Sequence, residues 1–238
     1  MSNDFAIAID QWSGAFVNEQ SKTVHRLGCC VEEASIPAKL RRRMGPMERL
    51  MAQCALGVLS DLPAAEIVLC SRYGNVDMLA SLLRSISEHE PLSPMAFSLA
   101  VHNAAAGLLG QIRNDRTAHT ALAAGRETLF SGLTDAYARL ATDCERPIAL
   151  VFGDWPLPKI YRRFTDLECG GTAMAFLMRR PMPGSHCAPY LRPLWNDAEA
   201  EQIEGAEILA RRLVSVLQSE SELIFQGRHS PAWKLAGA

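Results

Sequence analysis

AHTALAAGRETLFSGLTDAYARLATDCERPIALVFGD, residues 118 to 154, holds a strand, a turn, a helix and a second strand in that order. Ala118 to Ala123 is a short strand, broken at Ala124-Gly125 by small residues. From Glu127 to Ala141 the apolar residues Leu129, Leu133, Ala136, Tyr137 and Leu140 recur at helical steps, which predicts a helix with one buried side. Pro147 to Phe152 (PIALVF) is apolar without interruption, as expected of a strand covered on both faces. Strands alternating with helices in this way imply βαβ units and a layered, partly parallel sheet.

The same alternation extends in both directions. Upstream, Glu66 to Cys70 (EIVLC) is a strand followed by a turn at Tyr73-Gly74-Asn75, and then by a helix over Val76 to Ile86 with Leu79, Leu82, Leu83 and Ile86 on one stripe. Before it, Met47, Leu50, Met51, Cys54, Val58 and Leu59 mark a helix that Pro46 opens and Pro63 closes. Phe5 to Ile9 is the first strand, and residues 18 to 43 give no clear pattern. PLSPMAFS (91–98) reads as a Pro-bounded loop, and the Ala-rich stretch from His102 to Ile112 as a buried helix. Downstream, Gly170 to Met178 is a fifth strand, Pro181 to Pro193 a Pro-rich connection, and Asp197 to Gln218 a long amphipathic helix carrying Ile203, Ala206, Leu209, Leu213 and Leu217 on one side. The expected fold is α/β: a mixed five-stranded sheet with flanking helices, in one domain over 1–238 whose last part, 181–238, is connection plus helix.

Composition narrows the function classes. Of 238 residues 48% are hydrophobic and 21% charged, enough to build a core, and the formal charge of −2 gives no general attraction to nucleic acid or anionic membrane. The run Arg41-Arg42-Arg43 is too short to alter that and reads as a solvated approach to a helix. The N-terminus lacks a basic targeting region, and no apolar run approaches the roughly 18 residues of a membrane span. The seven cysteines (Cys29, Cys30, Cys54, Cys70, Cys144, Cys169 and Cys187) are odd in number and lack metal-ligand spacing, as in a cytoplasmic protein with reduced thiols.

Catalytic signatures are scarce. No Gly-rich phosphate loop, nucleophile elbow or zinc-hydrolase helix occurs, and no metal or cofactor is implied. One constellation is suggestive: Ser98, His102 and Asn103 lie close together upstream of the strand–turn–helix at 121–128, where many α/β enzymes mount a nucleophile. That turn reads ALAAGRET and offers Arg126, Glu127 and Thr128. Ser98 and His102 would serve equally well as loop and helix-cap hydrogen-bonding groups.

The stretch SLAVHNAAAGLLGQ…TALAAGRETLFSGLTDA (Ser98 to Ala136) resembles the central segment of the β-ketoacyl synthases of the thiolase superfamily. There a P-N-x-A-A-G helix start, here His102-Asn103-Ala104-Ala105-Ala106-Gly107, precedes a strand, a turn bearing the catalytic cysteine, and a buried helix. IVLCSRYGNVDML (67–79), PIALVFGD (147–154) and GGTAMAFLM (170–178) match flanking strands in order. The S-x-x-V-H-N-A at Ser98 to Ala104 is similar to that of short chain-length-factor subunits from aryl polyene and related type II polyketide, fatty-acid-like pathways. Two departures stand out. The match puts the family's cysteine at Arg126 or Glu127, and no cysteine lies between Cys70 and Cys144; the chain is also little more than half the family's usual length. Past residue 180 only His186 and His229 remain, and neither sits in a family motif.

The resemblance implies the N-terminal half of a thiolase-like layered fold, with no catalytic residue of its own. It implies a subunit that pairs with a full-length ketosynthase and shapes its acyl tunnel while an acyl or polyene chain grows on an acyl carrier protein. Met95, Phe97, Val101, His102 and Asn103 are then the tunnel and interface positions. A small acyl-transfer or hydrolytic enzyme using Ser98 with His102 stays open as an alternative, as does a homodimeric acyl-binding module.

Overall fold

The computed structural model describes residues 5–18, 20–62, 65–142, 146–165, 170–181, 189–194 and 199–237. In chain order the elements are β1 (Ile7–Val17), β2 (Val24–Gly28), α1 (Ala38–Arg41), α2 (Pro46–Val58), β3 (Glu66–Cys70), α3 (Val76–Ser87), α4 (Pro94–Leu99), α5 (Ala104–Arg113) and β4 (His119–Leu122). They continue as α6 (Thr128–Thr142), β5 (Ile148–Asp154), β6 (Thr172–Arg179), β7 (Tyr190–Leu194), β8 (Glu201–Gln202), α7 (Ala206–Gln218), β9 (Glu222–Gln226) and β10 (Ala232–Ala236). Short 3₁₀ turns lie at Glu33–Ser35, Gly125–Glu127 and Lys159–Phe164.

The ten strands among the described residues form one sheet, ordered β4-β3-β5-β6-β1-β7-β10-β9-β8, with β2 also paired to β1. β3 runs parallel to both β4 and β5, and β6 antiparallel to β5 and β1. The continuous apolar run of β5 has the cause expected for it. Ile148, Leu150 and Phe152 face α6 and α7 through Leu129, Leu133, Leu209 and Leu213, while Ala149 and Val151 face α2 and α5 through Met51, Cys54 and Leu109. Three layers, helix on sheet on helix, bury both faces of β5 and β6. On the α2 side small residues let the helix come close: a Cβ on Gly153 would collide with Met51.

The structure departs from the sequence expectation in four places. The first strand extends to Val17, because its far half pairs with β2 and β6 after a register shift between Ile9 and Gln11. Residues 94–99 are helical rather than loop: Pro94 stands in the first turn and the Ser93 hydroxyl accepts the Ala96 N–H at 3.3 Å. The C-terminal helix starts at Ala206, after Gly205 (φ +112°), a backbone angle other residues rarely adopt; of the residues expected before it, 197 and 198 lie outside those described. The five expected strands are joined by β2 and by β7 to β10, so the stretch beyond 189 carries four strands as well as the helix. The Pro-rich connection falls largely on 182–188, outside the described residues.

The C-terminal strands are part of the core. Trp233 of β10 is buried and meets Tyr137 of α6 edge-on at 6.0 Å, Tyr137 stacks on Phe5 at 4.6 Å, and Phe225 of β9 lies 5.9 Å from Phe130. Leu235 is fully buried between these layers. Leu235→Ala is expected to destabilise the whole domain by about 2–5 kcal/mol, as for other buried leucines. A urea titration followed by tryptophan fluorescence and far-UV circular dichroism should show one shifted, coincident transition.

Candidate functional site

Parallel strands β4, β3 and β5 end at the same edge of the sheet, the edge at which open α/β sheets place their ligands. Asp154 closes β5 there and is buried. Its carboxylate collects the turn after β3: Ser71 Oγ donates to Oδ1 at 2.9 Å, the Arg72 N–H reaches both oxygens at 3.0 Å, and the Tyr73 N–H reaches Oδ1 at 3.2 Å. Ser71 Oγ in turn accepts the Gly74 N–H at 2.8 Å. Burial, and then the Glu207 carboxylate on α7, push the Asp154 carboxyl up to about 7, against the donated hydrogen bonds that work the other way.

His102 is held by the same turn. Its Nε2–H donates to the Ser71 carbonyl at 2.8 Å, the only role a carbonyl leaves it. Gly74 (φ +61°) passes so close that an added Cβ would stand 3.1 Å from the ring. Asn75 caps α3 by accepting the Met78 N–H at 3.1 Å and donates its amide to the buried Glu48 at 2.6 Å. Burial raises the Glu48 carboxyl. Ser98, on α4, donates to its own turn at the Met95 carbonyl, 2.8 Å away. Among the described residues no hydrogen bond joins Ser98 to His102; each is committed to a backbone carbonyl. Asn103 lies exposed with its amide 3.5 Å from His119.

Met95 and Phe97 project from α4, and Val101 follows it; all are exposed, Phe97 by 65%. α3 packs beside α4, and the stripe read from the sequence is turned outward: Leu82 is buried, but Leu79, Leu83 and Ile86 are about half exposed, at 45%, 46% and 55%. Leu92 between the helices is exposed as well. An amphipathic pattern identifies an apolar face without saying which molecule covers it. Of the five positions singled out from the sequence, Met95, Phe97 and Val101 therefore belong to an open apolar surface. His102 belongs to the support beneath it, and Asn103 looks toward β4.

The turn between β4 and α6 holds Arg126 and Glu127. Arg126 pairs with Glu204 at 2.7 Å on the surface. Glu127 accepts the Arg228 N–H at 3.0 Å, and Gly227 approaches so closely that any Cβ there would strike the carboxylate. The turn joining β9 to β10 is thus moored on the head of α6. An open cavity of about 490 Å³ lies beside it, lined by Glu127, Ser131, Thr134, Asp135 and His229. Cys70 packs beneath α6 against Gly132, where burial, then Asp135 and Asp154, raise its thiol far above the range in which a thiolate forms. Among the described residues no three His, Cys, Asp or Glu side chains gather as metal ligands. Sequence reasoning missed Asp154, although an acidic residue ending a fully apolar strand was a visible signal.

Because its folded carboxyl titrates near 7 rather than near 3.8, Asp154 stabilises the fold most when protonated. That contribution is complete below about pH 4 and is lost as pH rises through about 7. Stability should therefore fall between about pH 4 and 7, by at most about 1.4 kcal/mol per pH unit for this proton, and level off above. Asp154→Asn, which turns one acceptor into a donor facing N–H groups, should cost about 1–3 kcal/mol at pH 5 but flatten that slope. Urea midpoints of both proteins across the range test this; equal slopes would clear Asp154.

No curated protein sequence matches the chain significantly. Solved structures do share its fold. The complex of the ketosynthase ApeO with its chain length factor ApeC from Xenorhabdus doucetiae matches with a TM-score of 0.77 and 19% identity, over 98% of this chain and 99% of that one. The ishigamide ketosynthase/chain length factor matches with a TM-score of 0.59 and 12% identity, over 79% of this chain and 65% of that one. A β-ketoacyl synthase from Burkholderia phymatum STM815 matches with a TM-score of 0.57 and 9% identity, over 90% and 69%. No described helix is long and apolar enough to cross a membrane. The family model of the N-terminal domain of β-ketoacyl synthase matches residues 11–234. The chain belongs to the β-ketoacyl synthase family.

Proposed function

We propose that this chain is a catalytically inactive, chain-length-factor-like subunit that pairs with an active ketosynthase and shapes its acyl tunnel. The observation that carries this reading is the turn at the head of α6. On the match of residues 98–136 to the family it is the nucleophile's place, and it holds Arg126 and Glu127, committed to Glu204 and to the Arg228 backbone. A guanidinium keeps its proton at any accessible pH and cannot attack a thioester. Cys70, the described thiol that packs against α6, is sealed beneath it. The enzymatic alternative is disfavoured by the separate commitments of Ser98 and His102.

Two features support a protein partner. Leu79, Leu83, Ile86, Leu92, Met95, Phe97 and Val101 make an apolar face of the kind monomers seldom leave in water. β4, the last strand of the sheet on this side, is short and offers an open edge. The growing chain would stay on an acyl carrier protein served by the partner's thiol. Met95, Phe97 and Val101 would meet that partner and its acyl chain, with His102 and Asn103 behind them. A homodimer would cover the same face, and the oligomeric state of the chain alone separates the two.

Carrier-protein condensation assays should show no product from this chain alone, and product when a cognate ketosynthase is added; activity of the isolated chain overturns the proposal. Phe97→Asp should leave folding stability within about 0.5 kcal/mol, since the side chain is exposed, yet abolish co-elution with the ketosynthase on size exclusion.

Chain length provides a separate test. Ala96→Phe or Ala100→Phe should shorten the product made by the intact pair and spare the first condensation, because a blocked wall is hard to evade. Phe97→Ala should lengthen or broaden the products. Mass spectra of carrier-bound intermediates report both. An unchanged distribution with the pair intact means that this segment does not line the tunnel.

A further inference from the structure

The segment from Cys29 to Gly45 runs as a strap over α2. Its seating is defined by close contacts: the Val31 N–H donates to the Gln53 carbonyl at 3.3 Å, and the Cys29 carbonyl rests where a Cβ on Gly57 would be, while Arg26 of the preceding β2 donates from Nε to Gln53 Oε1 at 2.8 Å. Cys54 and Gly57 are three residues apart and so share one face of α2. That face meets the strap at Cys30, and the two sulfurs, Cys30 Sγ and Cys54 Sγ, lie 3.9 Å apart. Further along, Ile36 and Met44 of the strap pack with Ala52 of α2, Leu99 of α4 and Leu108 of α5. The strap thus underlies the apolar α4 face.

The two thiols differ in kind. Cys54 is fully buried and its thiol is pushed up by that burial, whereas Cys30 is half-buried at the strap's surface. The hydrogen bond from Cys54, and with it the Arg26 guanidinium, lower the Cys30 thiol against burial and Glu32, which act the other way. A lowered, reachable thiol in sulfur contact with a protected one is the arrangement of an attacking and a resolving cysteine. Neighbouring Cys29 is exposed, with its thiol on Gln11 Oε1 at 2.7 Å.

We infer that Cys30 and Cys54 form a redox pair that a peroxide converts into an internal disulfide, tying the strap to α2. In the first step the Cys30 thiolate attacks one peroxide oxygen; the O–O bond breaks, and sulfenic acid and hydroxide form. In the second, the Cys54 sulfur attacks the Cys30 sulfur, the S–O bond breaks, and the hydroxyl leaves as water with the Cys54 proton. Both electrons go to the peroxide, and a dithiol reductant reverses the result. The loop so closed spans 24 residues of sequence separation.

The test is treatment of the full chain with hydrogen peroxide, followed by non-reducing digestion and mass spectrometry. The expected product is lighter by two hydrogens, contains one peptide joined through Cys30 and Cys54, and loses iodoacetamide labelling at both until dithiothreitol is added. Cys29→Ser should leave this unchanged. Cys54→Ala, a small replacement in a packed site, should stall the reaction at a Cys30 sulfenic acid that dimedone captures. The inference is overturned if Cys30 in the unmodified sequence ends as a dimedone adduct or sulfinic acid while Cys54 still alkylates after unfolding. It is equally overturned if fragmentation of the joined peptide places the bridge on Cys29 rather than Cys30, or if neither thiol reacts at peroxide levels that oxidise exposed cysteines.

Discussion

A buried carboxylate needs partners, and Asp154 finds them in the backbone of a turn 82 residues away in sequence. The bond network fixes where the chain leaves β3, and everything that projects from that edge follows. Asn75 can cap α3 only because the turn ends in the left-handed Gly74. The same turn presents its Ser71 carbonyl to His102, which sets the start of α5. Between α3 and α5 the short α4 has little freedom, with Leu99 pinned below and Phe97 left above. The open apolar face is therefore carried on a rigid base, and the energetic cost of burying one acid is offset by the order it imposes on three helices.

Legibility from sequence tracked how locally each element is determined. β3 and α2 have the expected bounds to within a residue or two, because their apolar runs and bounding prolines are local facts. β5 was legible for a different reason, since burial on both faces leaves its run from Ile148 to Phe152 without a polar residue. β9 and β10 escaped notice: with Glu222, Gln226 and Lys234 among their few residues, they owe their place to pairing with each other and with β7. At the site, the apolar positions and the lack of any cysteine between Cys70 and Cys144 were visible in the sequence. The role of Asp154 was not, since it exists only once residues 71–73 and 154 are brought together by the parallel pairing of β3 and β5. Nor could periodicity say that the α3 stripe would face outward.

If the head of α6 is the family's catalytic position, as proposed above, it has become a structural one. The N-terminus of a helix favours negative charge, and here Glu127 occupies it and accepts a backbone N–H from the β9–β10 turn. Arg126 turns away to Glu204, next to the start of α7. Both side chains join the middle of the chain to its end, and the hairpin that Glu127 holds carries Phe225 and Trp233 into the core.

Gly227 gives that arrangement a direction in evolutionary time. A side chain there would push aside the Glu127 carboxylate, which fills the space above it. On the reading proposed here, restoring a thiol at 127 would remove the anchor of the hairpin, while restoring one at 126 would leave it beside a carboxylate that opposes thiolate formation. Neither single reversion recovers both a nucleophile and the packing now built around its replacement. Loss of chemistry and gain of a fastening would have proceeded together, and a lineage that took this path would find it far easier to refine the subunit's surface than to return to catalysis.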